Sequence, residues 1–196
     1  IEGRVLSDMY DAEVAYQDAY LGQLFTTLEG RGKRGNTLTI IVGDHGDGLG
    51  EHGFMGHAFN AYQELVHVPL LVHWPQRVNA GIREQTPVST RRLFHTVLEA
   101  AGRLPDTVKN LNPSEVRRFT LLETLRGRDP ECGRAFSEIY PPMNFVRAIE
   151  SRQPELLSRY QCLSFRRAVV RGDEKLIVLD GEPDELFDLR RDPHEL

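Results

Sequence analysis

Cysteine, long apolar runs and net positive charge are all scarce in this sequence of 196 residues. Its two cysteines, Cys132 and Cys162, cannot build a disulfide framework, and neither lies in a Cys-x-x-Cys metal pattern. One bridge between them is the most that could form, and nothing in the spacing supports it. So few cysteines are compatible with every cellular compartment. No apolar run reaches the about 18 residues that a membrane helix needs, so no transmembrane segment is expected. Lys and Arg number 24 against 29 Asp and Glu, a formal charge of −5. That balance argues against a generic nucleic-acid binder. The basic pairs Arg91-Arg92, Arg117-Arg118, Arg166-Arg167 and Arg190-Arg191 mostly have acids nearby and read as solvated faces or strand ends.

The chain does have a hydrophobic content of 40%, enough for a real core. Residues 5–29 predict one amphipathic helix, with Tyr16, Tyr20, Leu24 and Leu28 repeating at i+4. Gly30, Gly32 and Gly35 end it. A strand follows from Thr37 to Val42, rich in β-branched residues. Ala58–Val66 predicts a short helix. Val68–Trp74 predicts an apolar strand buried on both faces, as in a parallel sheet, with Pro69 at its start. Ser89 or Thr90 is expected to cap a helix that runs to Ala101 and closes at Gly102. This alternation marks an α/β layered domain.

Residues 103–131 predict a loop with one helix near 114–126. From there the pattern changes. Ala135–Ile139 reads as a strand and residues 145–160 as a helix or an insertion. Ala168–Arg171, Lys175–Leu179 and Glu185–Asp188 read as strands joined by turns at Gly172-Asp173 and Asp180-Gly181. The expected organisation is a layered α/β unit over residues 1–131 and a small antiparallel subdomain over residues 132–196.

The most informative stretch is Ile40-Ile41-Val42-Gly43-Asp44-His45-Gly46-Asp47-Gly48-Leu49-Gly50-Glu51-His52-Gly53. An apolar strand stops at an acid–imidazole pair and a glycine-rich loop, the usual place for ligands in an open α/β sheet. Asp44 offers a hard oxygen and His45 a nitrogen, both suited to a divalent cation. The alternative is a polar loop in which Asp44 merely caps a turn.

Four segments in this order resemble the sulfatase family of the alkaline phosphatase superfamily. They are Tyr10-Asp11-Ala12-Glu13-Val14-Ala15-Tyr16-Gln17-Asp18, the stretch from Asn36 to Gly53, Gly56-His57 with Tyr62-Gln63-Glu64 and Val68-Pro69-Leu70-Leu71-Val72, and Val169 to Ile177 followed by Glu185-Leu186-Phe187-Asp188-Leu189 and Asp192-Pro193. The resemblance is to the carboxyl-terminal half of such a protein. It implies an alkaline-phosphatase-like layered α/β fold, incomplete here, and a fragment of a metal-dependent sulfuric ester hydrolase.

By resemblance, Asp44 and His45 are metal ligands. Many sulfatases carry Asn at the second position and bind calcium. His45 also admits manganese or zinc, and it draws the reading toward relatives that cleave phosphodiesters or phosphonate monoesters. His57 falls where the family places a cation or acid for the leaving oxygen. The alternative for His57 is a loop histidine bonded to backbone. Asp47 and Glu51 read as acids that order the loop, and His52 as a structural hydrogen bonder. His67, His73, Trp74 and His95 read as packing or surface residues. The acidic ligands of the first strand and the Cys- or Ser-x-Pro-x-Arg segment that yields the formylglycine nucleophile are expected in the missing amino-terminal half. Cys162-Leu163-Ser164-Phe165-Arg166 has Ser where Pro belongs and is read as chance.

The implied substrate is a small-molecule or glycan sulfate ester. An exposed sheet edge leads one to expect self-association, so a homo-oligomer is open. A reading of another class is a catalytically silent scaffold or binding module. With half a metal shell and no nucleophile, these 196 residues alone are expected to hydrolyse no aryl sulfate above a metal-free control; turnover in that assay would contradict the expectation.

Overall fold

The computed structural model describes residues 2–102 and 113–196. The loop predicted around Pro105 lies outside the described residues. Helix α1 spans Glu2–Gly30 and leads through a turn at Arg34–Asn36 into strand β1, Thr39–Val42. A two-residue ribbon follows, β2 (Gly48–Leu49) paired with β3 (Met55–Gly56). Then come helix α2 (Gln63–Val66), strand β4 (Leu70–His73) and helix α3 (Arg92–Ala100). Met9, Tyr16, Tyr20 and Leu24 of α1 remain exposed. The apolar stripe is therefore real, but no described element covers it.

The expectation of a doubly buried parallel strand at Val68–Trp74 is corrected. β4 pairs antiparallel with β1, Thr39 opposite His73 and Val42 opposite Leu70. Its residues alternate between half-buried and exposed, as in a strand with one covered face. The helix predicted from Ala58 is also shorter. Phe59 takes a left-handed conformation at φ 66, and Asn60 Oδ1 accepts the Tyr62 N–H at 3.1 Å, so the helix begins only at Gln63.

Helices α4 (Pro113–Arg118) and α5 (Leu121–Leu125) stand where one helix was expected. Arg92, fully buried on α3, explains the break. Its guanidinium donates to the carbonyls of Phe119 at 3.1 Å and Thr120 at 2.7 Å and pairs with Asp129 at 2.6 Å. Thr120 is held extended at ψ 152. Neither Ser89 nor Thr90 caps α3 through its side chain; instead Ser89 Oγ accepts the Phe136 N–H at 2.9 Å.

Strands β5 (Arg134–Ile139), β6 (Arg166–Arg171), β7 (Glu174–Leu179) and β8 (Glu182–Asp188) form an antiparallel sheet in sequence order. Tight turns join the last three, with Gly172 at φ 58, Asp180 at φ 50 and Gly181 at φ 100. Helices α6 (Met143–Arg152) and α7 (Glu155–Arg159) fill the β5–β6 connection and are separated near Pro154. Both cysteines are free, Cys132 exposed and Cys162 buried.

The segment after His57 is wedged between these parts. Phe59 packs with Val146 of α6 and Cys162, while Ala61 packs on Ala168 and Ile177 of the sheet. Apolar burial on two sides thus fixes the chain that leads from His57 to α2.

Replacing Arg92 by Met removes the guanidinium donor from the Phe119 carbonyl, leaves the Thr120 carbonyl only the Glu123 N–H, and leaves the Asp129 charge without its cation, held only by Thr124 and the Gly133 N–H. The expected loss of stability is about 3–5 kcal/mol in urea unfolding; a loss below about 1 kcal/mol would contradict this account of the α4–α5 break.

Candidate metal and catalytic site

β1 delivers the site. Its last turn is pinned where the Gly43 N–H donates to the Pro69 carbonyl at 3.1 Å. Asp44 and His45 then leave the strand toward solvent, the Asp44 side chain 92% exposed. The His45 N–H donates to Asp44 Oδ1 at 3.0 Å. This bond, with the residue's own N–H and the neighbouring imidazoles, holds the Asp44 carboxyl below the usual carboxylate range.

His45 Nδ1 lies 2.9 Å from the Gly46 carbonyl. A carbonyl only accepts, so Nδ1 carries the proton there. His45 Nε2 faces Asp44 Oδ2 at 3.9 Å. An exposed carboxylate oxygen and an imidazole nitrogen directed toward each other suit a divalent cation, and the backbone bond on Nδ1 is the usual way such an imidazole is oriented.

Gly46 is placed by α2. Its N–H donates to the Leu65 carbonyl at 2.8 Å. A Cβ there would sit 1.9 Å from the Glu64 carbonyl oxygen, so only glycine permits this approach.

The β2–β3 ribbon carries His57 to the same place. Gly56, at φ 79, turns the chain. The His57 ring stacks on His45, centroids 4.4 Å apart and planes 24° apart. Asp47 Oδ1 lies 3.1 Å from His57 Nδ1. The structure therefore brings Asp44, His45, Asp47 and His57 together. Asp47 orders the loop through His57, and Glu51 does so by accepting the Leu49 N–H at 2.6 Å.

His52 points elsewhere. In a strained backbone at φ 53 it stacks on Tyr62, centroids 3.8 Å apart, with Nε2 3.8 Å from Glu64 Oε1. His67 and His73 are exposed. His95 packs between Phe94 and Phe119, and Trp74 is buried beneath Arg77. The Cys162 thiol is buried and contacts the Leu156 carbonyl at 3.6 Å; burial pushes its pKa up. Arg166 is bound to the carbonyls of Tyr160, Gln161 and Ser164. That segment is built as core, not as a nucleophile.

A second cluster was not singled out in the sequence. His52, Glu64 and Glu195 each offer a ligand atom, all within 4.8 Å of one another. A cation is built in beside them, because Lys175 Nζ lies 2.5 Å from Glu195 Oε1 with both side chains 0% exposed. Tyr62, next to this cluster, donates its hydroxyl to Glu185 at 2.9 Å and 3.0 Å. Burial and that carboxylate raise its phenol well above the ordinary value. Partners more than 100 residues apart leave no local signal in the sequence.

Residues 6–103, half of the chain, match the family model described as Sulfatase. The chain belongs to the sulfatase family. It is 27% identical over 180 residues to the Delta 4,5-hexuronate-2-O-sulfatase of Bacteroides thetaiotaomicron, covering 91% of this chain and 32% of that protein. It is 36% identical over 189 residues to the N-acetylglucosamine-6-O-sulfatase of the same organism, covering 95% and 30%. Among solved structures it is similar to the phosphonate monoester hydrolase of Agrobacterium radiobacter, with TM-score 0.68 and 25% identity over 93% of this chain and 34% of that one. This sulfatase-family chain thus spans about a third of the length of the relatives it matches. The neighbours bear out the alkaline-phosphatase-like fold class and the carboxyl-terminal antiparallel sheet.

Gly46→Ala forces the His45 loop away from α2. In the full-length protein, calcium affinity by calorimetric titration is expected to fall at least about tenfold, while Gly22→Ala, in open space on α1, leaves it unchanged. Equal affinities in the two variants would sink this assignment.

Proposed function

We propose that this chain contributes part of the active site of a metal-dependent sulfuric ester hydrolase, with water as acceptor. The observation that carries the reading is the Asp47-held His57 ring lying on His45 beside Asp44. The Asp44 carboxylate and His45 Nε2 would hold the cation, calcium first, with manganese or zinc accommodated by the imidazole. When bound, a divalent ion supplies Lewis-acid stabilisation of negative oxygens. The nucleophile is proposed to be a formylglycine from outside these residues.

His57 is the proposed catalytic residue of this chain. Asp47 accepts the proton-bearing Nδ1, which leaves Nε2 to hold a proton for the departing alkoxide oxygen. The stacking of His57 on His45 supports a proton donor beside the proposed metal site.

The favoured substrate class is a glycan sulfate ester, in keeping with the names of the two Bacteroides relatives. A second reading, phosphonate monoester or phosphodiester hydrolysis, is supported by His45 at the second ligand position and by the phosphonate hydrolase neighbour. We also propose that residues 1–131 belong to the catalytic α/β unit and residues 132–196 to a carboxyl-terminal subdomain that buttresses it.

The test uses full-length protein and aryl and alkyl sulfates of graded leaving-group basicity, with an aryl phosphate diester for comparison. His57→Ala is expected to cost about 10²–10⁴-fold in kcat/KM on poor leaving groups and much less on p-nitrophenyl sulfate. An equal loss on all sulfates would remove the acid role. Preference for the diester would move the enzyme to phosphoryl chemistry while leaving the ligands in place.

A further inference from the structure

We infer that Glu195 is a positioning residue for the metal loop, acting through α2 on the ring of His45. This rests on the reading of Asp44 and His45 as metal ligands. Glu195 lies in the turn that follows Asp192-Pro193, far along the chain from that loop. Its carboxylate is fully buried, and its backbone takes a left-handed conformation at φ 55. The turn is closed by the Glu195 N–H to the Asp192 carbonyl at 3.3 Å and by the Leu196 N–H to Asp192 Oδ2 at 2.9 Å. Both the strain and the buried charge oppose folding, so the contacts made by the carboxylate must offset them.

Those contacts converge on one residue. Glu195 Oε2 accepts the Gln63 N–H at 2.5 Å. Its other oxygen meets Lys175 Nζ, which also donates to Gln63 Oε1 at 3.3 Å. Gln63 is the first residue of α2, and Tyr62 before it supplies no side-chain cap. The tail carboxylate thus fills the capping role and fixes where α2 starts. Two residues later, the Leu65 carbonyl takes the Gly46 N–H, and the Gly46 carbonyl takes the His45 Nδ1 proton. The contacts are continuous from the turn over residues 192–196 to the imidazole that faces Asp44.

The same geometry accounts for Glu195 in the His52–Glu64–Glu195 cluster. Lys175 supplies the positive charge, and Glu195 uses its second oxygen on backbone rather than on a cation.

The experiment compares two double variants of the full-length protein. Lys175→Met with Glu195→Gln, and Lys175→Met with Glu195→Leu, each remove the ion pair without stranding a charge. Only the first keeps an acceptor for the Gln63 N–H. Calcium titration and hydrogen exchange of the Gly46 amide are measured for both. The Gln variant is expected to bind calcium within about twofold of the unaltered protein and the Leu variant at least about tenfold more weakly. Gly46 exchange should be faster in the Leu variant, with the β5–β6 ladder equally protected in both. Unchanged calcium affinity and unchanged Gly46 protection in the Leu variant would overturn the inference. So would a loss of protection as large in β5–β6 as at Gly46, which would make Glu195 a residue of general stability. Asp44→Asn separates the two levels: if calcium binding survives it, the metal reading fails, and Gly46 exchange still decides whether Glu195 places the loop.

Discussion

The hydrogen bond from the Gly46 N–H to the Leu65 carbonyl is the contact on which the candidate site depends. A loop rich in glycine has much conformational entropy to lose on ordering. This bond, closed over a contact that tolerates no Cβ, ties the loop to a segment that is itself held on two sides. Without it, Asp44 and His45 would be a polar excursion at the end of a strand. With it, the His45 ring has one orientation and the His57 ring has a face to lie against.

Electrostatics are handled differently inside and at the surface. The groups proposed to meet substrate and cation are open to solvent, and Asp44 is kept ionised by backbone donors. Two buried cations are engaged: Arg92 by Asp129 and two carbonyls, Lys175 by Glu195 and Gln63. Isolated, either would be prohibitively costly to bury. Paired, each determines a backbone event nearby, the end of α4 in one case and the start of α2 in the other.

Much of this was legible in the sequence where the signal is local. A β-branched run ending at Asp44-His45 announced the loop, and Gly172-Asp173 and Asp180-Gly181 announced the β6–β7 and β7–β8 hairpins. His57 was singled out by the resemblance to the sulfatase family, while its bond to Asp47 has no local signal. Periodicity failed where a distant side chain decides. One helix over 114–126 looked continuous because Arg92, on another helix, takes the carbonyls that would have continued it. The apolar run of β4 pointed to burial on both faces, but its partner and direction are set by β1, which its own residues do not encode. Lys175 and Glu195 were invisible for a simpler reason: each looks like an ordinary surface charge until the fold puts them together.

The distances along the chain between these partners have a kinetic side. β6, β7 and β8 are joined by two-residue turns, and their pairing closes short loops. The Gln63–Glu195 bond closes a loop of 132 residues and the Tyr62–Glu185 bond one of 123. Short loops close first and cheaply, and long ones wait for a framework that lowers their entropic cost. A chain emerging from the ribosome would therefore carry the Asp44-His45 loop without the carboxylate that sets α2 until the residues around Glu195 are made. The meander is the early-folding unit, and the site is finished only when the segment around Glu195 docks.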